Sequence, residues 1–353
     1  MHTPNPIKLL LSLLFISSLS AKLFDRFENW AEKFNIRFHS ESHLYEVLEK
    51  WITNDRFIDV INGRNLSYTL AHNQFSGMNE RDFQQYIMQN GFLFNHPASD
   101  SGAKGSLHLG GYLPDQVDWV KKGAVTPVND QGQCGSCWSF SAVGALEGAY
   151  AIQTGLVYDD IVSFSEQQLV DCDNLRNGGR DHGCNGGLMD NAFAWIGKNG
   201  GLCTEEDYPY ISGNGGQTWI IDACNKTCVK VAGSDVQSYV DIMSSSDDAM
   251  MHALERQPVA VAIEADQREF QLYKSGVFTG TCGKNLDHGV LLVGYGTDRA
   301  SGLDYYKVKN SWGKSWGQDG YILLARGKQV DGTAYNDGAG QCGVLLEGSF
   351  PVL

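Results

Sequence analysis

The stretch QGQCGSCWSF, residues 131–140, holds the most informative pattern in this chain. It places Cys134 and Cys137 three positions apart, directly before Trp138. Two cysteines at this spacing are compatible with a dithiol redox pair, with half of a zinc site, or with a reactive thiol beside a structural one. The other cysteines and the histidines help to separate these three interpretations.

All nine cysteines lie between Cys134 and Cys342. In an oxidising compartment an odd number leaves one thiol outside the disulfides, or one disulfide to another chain. The N-terminus, MHTPNPIKLLLSLLFISSLSA, has a lysine followed by an apolar run too short to span a bilayer. We therefore interpret residues 1–21 as a secretory signal peptide and expect a soluble mature protein without a membrane span.

The composition excludes several classes of protein. The 353 residues are 42% hydrophobic and only 19% charged, which is typical of a globular protein and not of a disordered or fibrous one. The net charge of -14 argues against nucleic acid or an anionic membrane surface as a partner.

The segment before the cysteines has a helical pattern. Apolar residues recur at spacings of three and four in a first stretch, at Phe27, Ala31, Phe34 and Phe38. A second stretch repeats this pattern, with one longer gap of six residues, at Leu44, Leu48, Trp51, Phe57 and Ile61. Such aromatic faces need a partner surface, which is either the rest of the chain or another part of the same small domain. A serine- and glycine-rich stretch at residues 98–111 follows and is predicted to be an exposed linker open to proteolysis.

The segment behind the linker predicts an α+β fold with two lobes. A helix is predicted from Cys137 up to a C-cap at Gly155, a second from a capping box at Ser165, and a third over residues 188–198. The later runs PVAVAIEA, HGVLLVGYG, DYYKVKN and GYILLAR are short, β-rich and bounded by glycines. They predict a mostly antiparallel sheet that follows the helical half.

Neither metal binding nor dithiol redox chemistry fits the remaining residues. Cys224 and Cys228 have no histidine partner, and the acidic pair Asp171 and Asp173 is not continued as a calcium loop requires. The βαβ frame that a redox Cys-x-x-Cys needs is also missing. We therefore expect no metal or cofactor. There remains the interpretation of a reactive thiol beside a structural one. In it Cys134 forms a disulfide with another cysteine, and Cys137 is reactive because the N-terminus of its helix favours the thiolate.

A reactive thiolate needs a proton donor and acceptor, and three histidines follow the linker. His182 lies in a polar glycine loop, and His252 lies in an acidic helix that we expect to be exposed. His288 stands at the entrance of an apolar strand, which is a rigid mounting for a catalytic imidazole. Asn310, at the end of the next strand, would bond the second ring nitrogen of His288, and Trp312 would shield that bond from water.

With these residues the chain resembles the papain-like cysteine proteases, in particular the cathepsin L-like branch. The resemblance rests on Cys134-Gly-Ser-Cys137-Trp138 followed by DHGVLLVGYG and KNSWG in the same order, and it covers nearly the whole chain. It implies a papain-like fold with a helical lobe at about 122–225 and a β-barrel-like lobe at about 226–353. It also implies a zymogen with an inhibitory propeptide at 22–112 and a peptidase domain at 113–353.

The resemblance implies a role for each candidate catalytic residue. Cys137 and His288 would form a thiolate–imidazolium pair across the cleft between the lobes, and Asn310 would orient the imidazole. The backbone N–H of Cys137 and the side chain of Gln131 would form the oxyanion hole of an acyl-enzyme mechanism.

It also implies the disulfides and the substrate pocket. The expected disulfides are Cys134–Cys184, Cys282–Cys342, and Cys172 bonded to Cys224 or Cys228, with Cys203 taking the remaining partner. Gly186 and Gly187 would bind the substrate backbone. The pocket for the second residue before the scissile bond would hold Leu188, Met189, Ala262, Leu286 and Glu347, with Trp312 nearby. This pocket would favour apolar side chains, and Glu347 would let it accept Arg unless its side chain turns to solvent.

The front segment fits the propeptide of that branch in part. Trp51, Asn54, Ile58 and Asn62 match its pattern around a core that includes Asn73 and Phe75. Four positions differ from that pattern. His43 and Val47 stand where Glu and Arg are expected, and Ala71 and Gly77 replace Gly and Asp. Two charged partners are therefore missing, which questions how strongly inhibition depends on pH.

Two other functions compete with a protease made as a zymogen. One is an inactive homologue that only binds peptides, and the other is a thiol–disulfide oxidoreductase that uses Cys134 and Cys137. The expected enzyme is an endopeptidase, because the sequence has no histidine-rich insertion of the kind that would block one end of the cleft in an exopeptidase. GGRDHG and ISGNGGQTWIIDA are unassigned insertions. We expect a monomer that is secreted or lysosomal/vacuolar, acts on peptides and proteins, and carries glycosylation sequons at Asn65 and Asn225.

Overall fold

The structure is a computed structural model that describes residues 18–90, 110–214 and 224–353. The first 17 residues of the predicted signal peptide lie outside this part, and so do residues 98–109 of the predicted linker. The insertion at 211–223 is described only as far as residue 214. The predicted boundary between residues 21 and 22 falls within a helix that begins at Ser18.

The described residues form eight α-helices. The helices are α1 Ser18–Lys33, α2 Glu41–Asn62, α3 Glu80–Asn90, α4 Cys137–Thr154, α5 Glu166–Cys172, α6 Met189–Asn199, α7 Asp247–Arg256 and α8 Arg268–Gln271. Short 3-10 turns occur at Tyr158–Asp160, Leu175–Asn177, Ser212–Asn214, Tyr335–Gly338 and Gln341–Gly343. No helix among the described residues has the length and apolarity that crossing a bilayer requires.

Nine strands form one sheet in the described part of the chain. They are β1 Tyr68–Leu70, β2 Val117–Asp118, β3 Ser238–Asp241, β4 Val259–Ile263, β5 Tyr273–Phe278, β6 His288–Thr297, β7 Asp304–Lys309, β8 Tyr321–Ala325 and β9 Gly348–Val352. The order is β1-β5-β8-β7-β6-β4-β9-β3, and β2 pairs with β6. Only β5 and β8 run parallel among these pairs, so the mostly antiparallel sheet that the sequence predicts is confirmed.

The three helices predicted behind the linker are present. Helix α4 ends at Gly155, whose φ of 74° lies in the left-handed region that glycine tolerates best. Helix α5 begins after Ser165, whose side chain accepts a hydrogen bond from the N–H of Gln168 as a capping box requires. Helix α6 is closed by Gly200, which is also left-handed.

The small residues of α4 allow it to be buried on nearly all sides. Ala142, Val143, Ala145 and Leu146 are inaccessible to solvent and belong to the hydrophobic cluster of the helical lobe. The Ser141 hydroxyl donates to the carbonyl of Val290 in β6 at 2.6 Å. Helix α4 therefore joins the two lobes and fixes its own N-terminus at their contact.

The front segment forms its own core and also packs on the β-rich lobe. Phe27, Trp30 and Trp51 are buried together in a small cluster between α1 and α2. Ile61 and Phe75 instead belong to the large cluster of the β-rich lobe. The apolar faces of the front segment therefore pack both on each other and on the rest of the chain. Each fully buried large side chain contributes about 1.5–3 kcal/mol to stability.

The expectation that His252 lies on an exposed helix is wrong. Helix α7 has its acidic face outside, but His252 is on the inner face and is only 7% exposed. Its Nδ1 lies 2.8 Å from the carbonyl of Asp248, and its Nε2 accepts from the N–H of Gly110 at 3.3 Å. Ala249, Met250 and Ala253 are buried on the same face of the helix as His252. These apolar neighbours indicate the inner face in the sequence, whereas the acidic residues suggest an exposed helix.

Candidate active site

Cys137 is the first residue of α4, and its thiol lies where this helix meets the start of β6. The backbone N–H groups of Gly289 and Trp138 hydrogen-bond to its sulfur. A methyl group on Gly289 would lie 3.3 Å from the carbonyl carbon of Cys137, so glycine is needed for this close approach. Because Gly289 directly follows His288, the fold brings the thiol and the imidazole to one contact between the lobes.

His288 begins β6 and is held by Asn310, which follows β7. Its Nε2 lies 2.8 Å from Oδ1 of Asn310. That oxygen also accepts from the N–H of Ser311 at 2.7 Å, which identifies it as the acceptor. In the neutral ring Nε2 therefore carries the proton, and Nδ1 is the nitrogen available as a base.

Trp312 covers the bond between His288 and Asn310. Its ring stacks on the imidazole with centroids 4.7 Å apart, and it is 1% exposed. The predicted shielding of this hydrogen bond from water is therefore present. Phe270 and Trp316 meet the other sides of Trp312, with ring centroids 5.8 Å and 5.1 Å away, which fixes its orientation.

Gln131 is buried next to the segment that leads into α4. Its side-chain N–H donates to the carbonyl of Cys134 at 3.0 Å, and its Oε1 accepts from the Ser311 hydroxyl at 2.6 Å. A backbone bond from its own N–H to the carbonyl of Ser311, 2.8 Å long, adds a second link. With both ends held, the amide of Gln131 is rigidly placed on the same side as Cys137.

Burial controls the protonation of the two central groups. It raises the pKa of the Cys137 thiol to about 11, against the hydrogen bonds from Gly289 and Trp138 that lower it. Burial also lowers the pKa of His288 to about 4, although the bond to Asn310 opposes the change. Both groups are therefore neutral between pH 5 and 9 in this form, although the helix N-terminus by itself favours the thiolate.

The front segment lies against residues on both sides of this site. The hydroxyl of Tyr86, in α3, donates to the carbonyl of Gly132 at 2.9 Å. The side chain of Gln74 donates to the carbonyl of Trp312 at 2.7 Å, and the ring of Phe75 meets that of Trp312 edge-on at 5.3 Å. The neutral pair thus belongs to a covered state of the site.

Gly186 and Gly187 lie beside Trp138 in a position that admits only glycine. Gly186 has a φ of 100°, in the left-handed region. A methyl group on Gly187 would lie 2.6 Å from the Trp138 ring and 2.7 Å from the carboxyl carbon of Asp181. The absence of a side chain at Gly187 thus lets this backbone pack against the ring of Trp138, the residue that follows Cys137.

The other predicted pocket residues gather on one apolar cluster. Met189 and Ala262 are buried in the same cluster as Trp138, and Leu286 packs against it. Leu188 is half-buried and directly precedes α6.

Glu347 is tied to this cluster through its backbone, because its carbonyl accepts from the N–H of Ala262 at 3.0 Å. Its side chain is half-buried rather than turned fully to solvent. Burial first, and then the carboxylate of Asp241, raise the pKa of Glu347.

The four disulfides leave Cys137 as a reduced thiol. Cys134–Cys184 and Cys282–Cys342 pair as the resemblance implies. Cys172 is bonded to Cys224, and Cys203 is bonded to Cys228, which fixes the pairing that the sequence left open. Each disulfide contributes about 2–4 kcal/mol by constraining the unfolded chain.

Two residues at the site were missed from sequence. Ser311 orients both Asn310 and Gln131, and its place inside KNSWG was the available signal. Asp287 is 7% exposed and accepts from the N–H of Ala265 at 2.8 Å. Burial raises the pKa of Asp287 to about 8, and its position directly before His288 was the only hint.

A buried thiol, an imidazole held by an amide, and a tryptophan cover together define a cysteine protease site. The family model described as "Papain family cysteine protease" matches residues 113–352 of this chain. The model described as "Cathepsin propeptide inhibitor domain (I29)" matches residues 27–83. The chain therefore belongs to the papain family of cysteine proteases and carries the inhibitory domain of a zymogen.

Plant enzymes are among the similar proteins. The chain is 44% identical to "Probable cysteine protease RD21B" of Arabidopsis thaliana over 85% of its own length, and spans 59% of the length of that relative. It is 43% identical to "Cysteine endopeptidase RepA" of Oryza sativa subsp. japonica, over 86% of this chain and 76% of that one. Some of these relatives are thus considerably longer than the matched region.

Solved proforms share the fold with the front segment included. The proform of the ragweed pollen cysteine protease Amb a 11 is 36% identical, with a TM-score of 0.80 over 96% of this chain and 94% of that one. The stem bromelain precursor is 32% identical, with a TM-score of 0.77 over 94% of this chain and 99% of that one. The papain-like fold is therefore confirmed for the zymogen form.

Proposed function

We propose that this chain is an endopeptidase that cleaves peptide bonds through Cys137 and His288 once the front segment has been removed. Cys137 would attack the peptide carbonyl as a thiolate, and His288 would protonate the leaving amine before water releases the acyl-enzyme. Asn310 would keep the imidazole in place, and the Cys137 N–H with the Gln131 amide would stabilise the oxyanion. The bond of 2.8 Å between His288 and Asn310, at the contact that also holds Cys137, carries this proposal.

Neither rival function accounts for the site equally well. A dithiol oxidoreductase would need Cys134 and Cys137 to exchange one disulfide, but Cys134 is bonded to Cys184. An inactive peptide-binding homologue would not require an imidazole oriented by Asn310 and covered by Trp312. Both observations favour hydrolysis.

The first test is Cys137→Ala in the full-length chain. The variant should fold and retain all four disulfides, yet it should cleave no peptide substrate, because it has lost the only atom that can form the acyl-enzyme. Peptidase activity is measured after removal of the front segment by an added protease, with the wild-type chain treated identically. Appreciable hydrolysis by the alanine variant would contradict the assignment.

We further propose where the chain is processed and located. The front segment, residues 22–112, would act as an intramolecular inhibitor, with a signal peptide at 1–21 and a maturation site near Leu113. The enzyme would be a monomer in a secreted or lysosomal/vacuolar location and would cleave peptides and proteins. The inhibitor-domain match over residues 27–83 and the four disulfides support this picture.

The pocket is proposed to accept apolar side chains and, when Glu347 is ionised, also Arg at the second residue before the scissile bond. Met189, Ala262 and Leu286 supply the apolar walls. Because burial and Asp241 raise the pKa of Glu347, its carboxyl becomes neutral at a higher pH than that of an ordinary glutamate. Acceptance of Arg should therefore weaken at acidic pH.

This preference is measured as the ratio of kcat/KM for an Arg substrate to that for a Leu substrate. Between pH 4.5 and 7 the ratio should rise by about tenfold in the wild-type enzyme, which corresponds to about 1.4 kcal/mol of ion-pair energy. In Glu347→Gln the ratio should stay flat and low. A wild-type ratio that does not change with pH, or an equal ratio in both proteins, would refute the role of Glu347.

A further inference from the structure

Two buried carboxyl groups lie directly behind the glycines that approach Trp138. Asp173 is 0% exposed and Asp181 is 2% exposed. In the described part of the chain, Oδ2 of each carboxyl group is buried and accepts no hydrogen bond. The two carboxyl groups act on each other's pKa as close neighbours. Two carboxyl groups can share a hydrogen bond only when one of them carries a proton and donates it to the other. One shared proton would therefore give both Oδ2 atoms a partner.

Asp181 is bonded to the segment at residues 186–188. Its Oδ1 accepts from the N–H of Leu188 at 3.0 Å and from the side chain of Asn191 at 2.9 Å. Its carboxyl carbon would lie only 2.7 Å from a methyl group on Gly187, whose other side faces the Trp138 ring. The backbone of Gly187 is thus clamped between Asp181 and the tryptophan that follows Cys137.

Asp173 anchors the pair from the other side. It follows α5, and its Oδ1 accepts from the N–H of Arg180 at 3.1 Å. A methyl group on Gly179 would lie 1.9 Å from the same oxygen, so the loop closes tightly on the carboxyl group. The loop is fixed at both ends by disulfides, through Cys172 and Cys184.

The surroundings favour the protonated pair. Burial first, and the neighbouring carboxyl group next, raise the pKa of Asp181 well above its usual range. Burial also raises the pKa of Asp173, and Lys198 of α6 opposes this only weakly. Asp171 on α5 bonds instead to the Tyr208 hydroxyl and the Gln167 side chain.

The remaining ionisable groups nearby do not replace the shared proton. His182 follows Asp181 in the loop and is exposed. Asp190, in the first turn of α6, interacts with the carboxyl groups of Asp241 and Glu347.

We propose that Asp181 is a positioning residue for substrate binding: while it shares a proton with Asp173 it holds residues 186–188 in place, and loss of that proton loosens this segment and weakens peptide binding. The inference rests on the proposed function, in which Gly186 and Gly187 bind the substrate backbone. It assigns a role to the GGRDHG insertion, whose acidic residue is Asp181.

The direction of the pH effect follows from the raised pKa values. A carboxyl group whose pKa is higher in the folded state stabilises that state fully at acidic pH, and this contribution is lost as the pH rises through the raised value. At higher pH two negative charges face each other in a buried site, which is unfavourable. Peptide binding should therefore be tight at acidic pH and weaker toward neutral and alkaline pH.

The test compares Asp181→Asn with the wild-type enzyme, each activated from the full-length chain. Asparagine keeps an oxygen for the N–H of Leu188 and donates its own N–H to Asp173, so it needs no shared proton. Between pH 5 and 8 the KM for a peptide substrate with Leu before the cleaved residue should rise about fivefold in the wild-type enzyme, roughly 1 kcal/mol. In Asp181→Asn it should change less than about twofold, while kcat follows the wild-type profile.

Asp160→Asn is the matched control, because Asp160 is exposed and should leave the wild-type profile unchanged. A KM that is flat in the wild-type enzyme, or that rises equally in Asp181→Asn, would overturn the proposal. Asp181→Ala should raise KM about tenfold already at pH 5, because the buried N–H of Leu188 loses its acceptor.

A second measurement separates this inference from the proposed function. Hydrogen exchange at residues 186–188, read by mass spectrometry, does not depend on peptidase activity. Protection of these amides, corrected for intrinsic exchange, should fall from pH 5 to 8 in the wild-type chain and stay constant in Asp181→Asn. Unchanged wild-type protection would overturn the positioning role, whereas hydrolysis by Cys137→Ala would overturn only the proposed function.

Discussion

At Cys137, two opposing effects act on the same sulfur, and their magnitudes decide its charge. The N-terminus of a helix stabilises a nearby anion by about 0.3–1 kcal/mol. Burial raises the pKa of this thiol to about 11, from an ordinary value near 9.0, which corresponds to roughly 3 kcal/mol against the thiolate. Burial therefore dominates in the covered form, and the sulfur remains a thiol until the cover leaves.

Asn310 is the residue whose removal should disturb this chemistry most selectively. In Asn310→Ala the Nε2–H of His288 loses its acceptor in a buried site, which costs about 1–3 kcal/mol. We expect kcat/KM of the activated enzyme to fall about 10- to 100-fold, while active-site titration still shows a reactive Cys137.

Ser311→Ala serves as the companion variant to Asn310→Ala, because it removes the hydroxyl that holds Gln131 and leaves the bond between His288 and Asn310 in place. A wild-type kcat/KM in Asn310→Ala would contradict the orienting role.

At the scale of single elements, the front segment is attached to the β-rich lobe through backbone and side-chain bonds. Strand β1 pairs antiparallel with β5 and extends the sheet. Asn54 of α2 accepts from the guanidinium of Arg268 at 2.8 Å and donates to the carbonyls of Ser76 and Met78. One buried amide therefore connects α2 both to the loop before α3 and to the enzyme surface.

Two positions at which the front segment differs from the family pattern, Val47 and Gly77, lie in contact with each other. A methyl group on Gly77 would lie 2.9 Å from the side chain of Val47 and 3.0 Å from the Trp30 ring. Val47 and Gly77, where the resemblance expects Arg and Asp, thus meet in an apolar contact. A different ionic group lies nearby, where Asp55 bonds to both Arg26 and His72.

Asn54→Ala should loosen the inhibitory segment without altering the enzyme. The change removes one acceptor from the half-buried guanidinium of Arg268, which keeps the carbonyl of Thr53, and one donor each from the carbonyls of Ser76 and Met78. The expected cost is about 1–3 kcal/mol. The lag before activation of the full-length chain at acidic pH should shorten about tenfold or more, and kcat/KM of the mature enzyme should be unchanged. Thr53→Ala, an exposed neighbour, is the control, and an unaltered lag in Asn54→Ala would show that this contact does not maintain inhibition.

At the scale of the whole molecule, the two lobes are joined by groups that no local pattern reveals. Lys309 of β7 is half-buried and donates to the Thr126 hydroxyl at 2.9 Å, and this hydroxyl in turn donates to the buried Glu147 of α4. Burial lowers the pKa of Lys309 and raises that of Glu147, and the attraction between them opposes both changes. The lobes thus meet over a chain of polar hydrogen bonds as well as an apolar contact.

The sequence predicts the parts of this fold that depend on local chemistry. Gly155 and the capping box at Ser165 predict the ends of two helices, and the spacing of His288 and Asn310 on successive strands predicts their hydrogen bond. Burial that arises from contacts between residues far apart in the chain cannot be predicted from a local sequence pattern. The inward face of His252 and the joining of Asp173 to Asp181 depend on which surfaces meet, and tertiary contacts decide this.

The most direct test of the central claim is the rate at which iodoacetamide alkylates Cys137, measured by mass spectrometry against pH. In the full-length chain the thiol is 1% exposed and neutral, so we expect almost no reaction below about pH 9. After removal of the front segment, Cys137 should be alkylated rapidly already at pH 5–6, since water and His288 can then stabilise the thiolate. Equal rates in the two forms, or a Cys137 that cannot be alkylated because it forms a disulfide, would contradict the account.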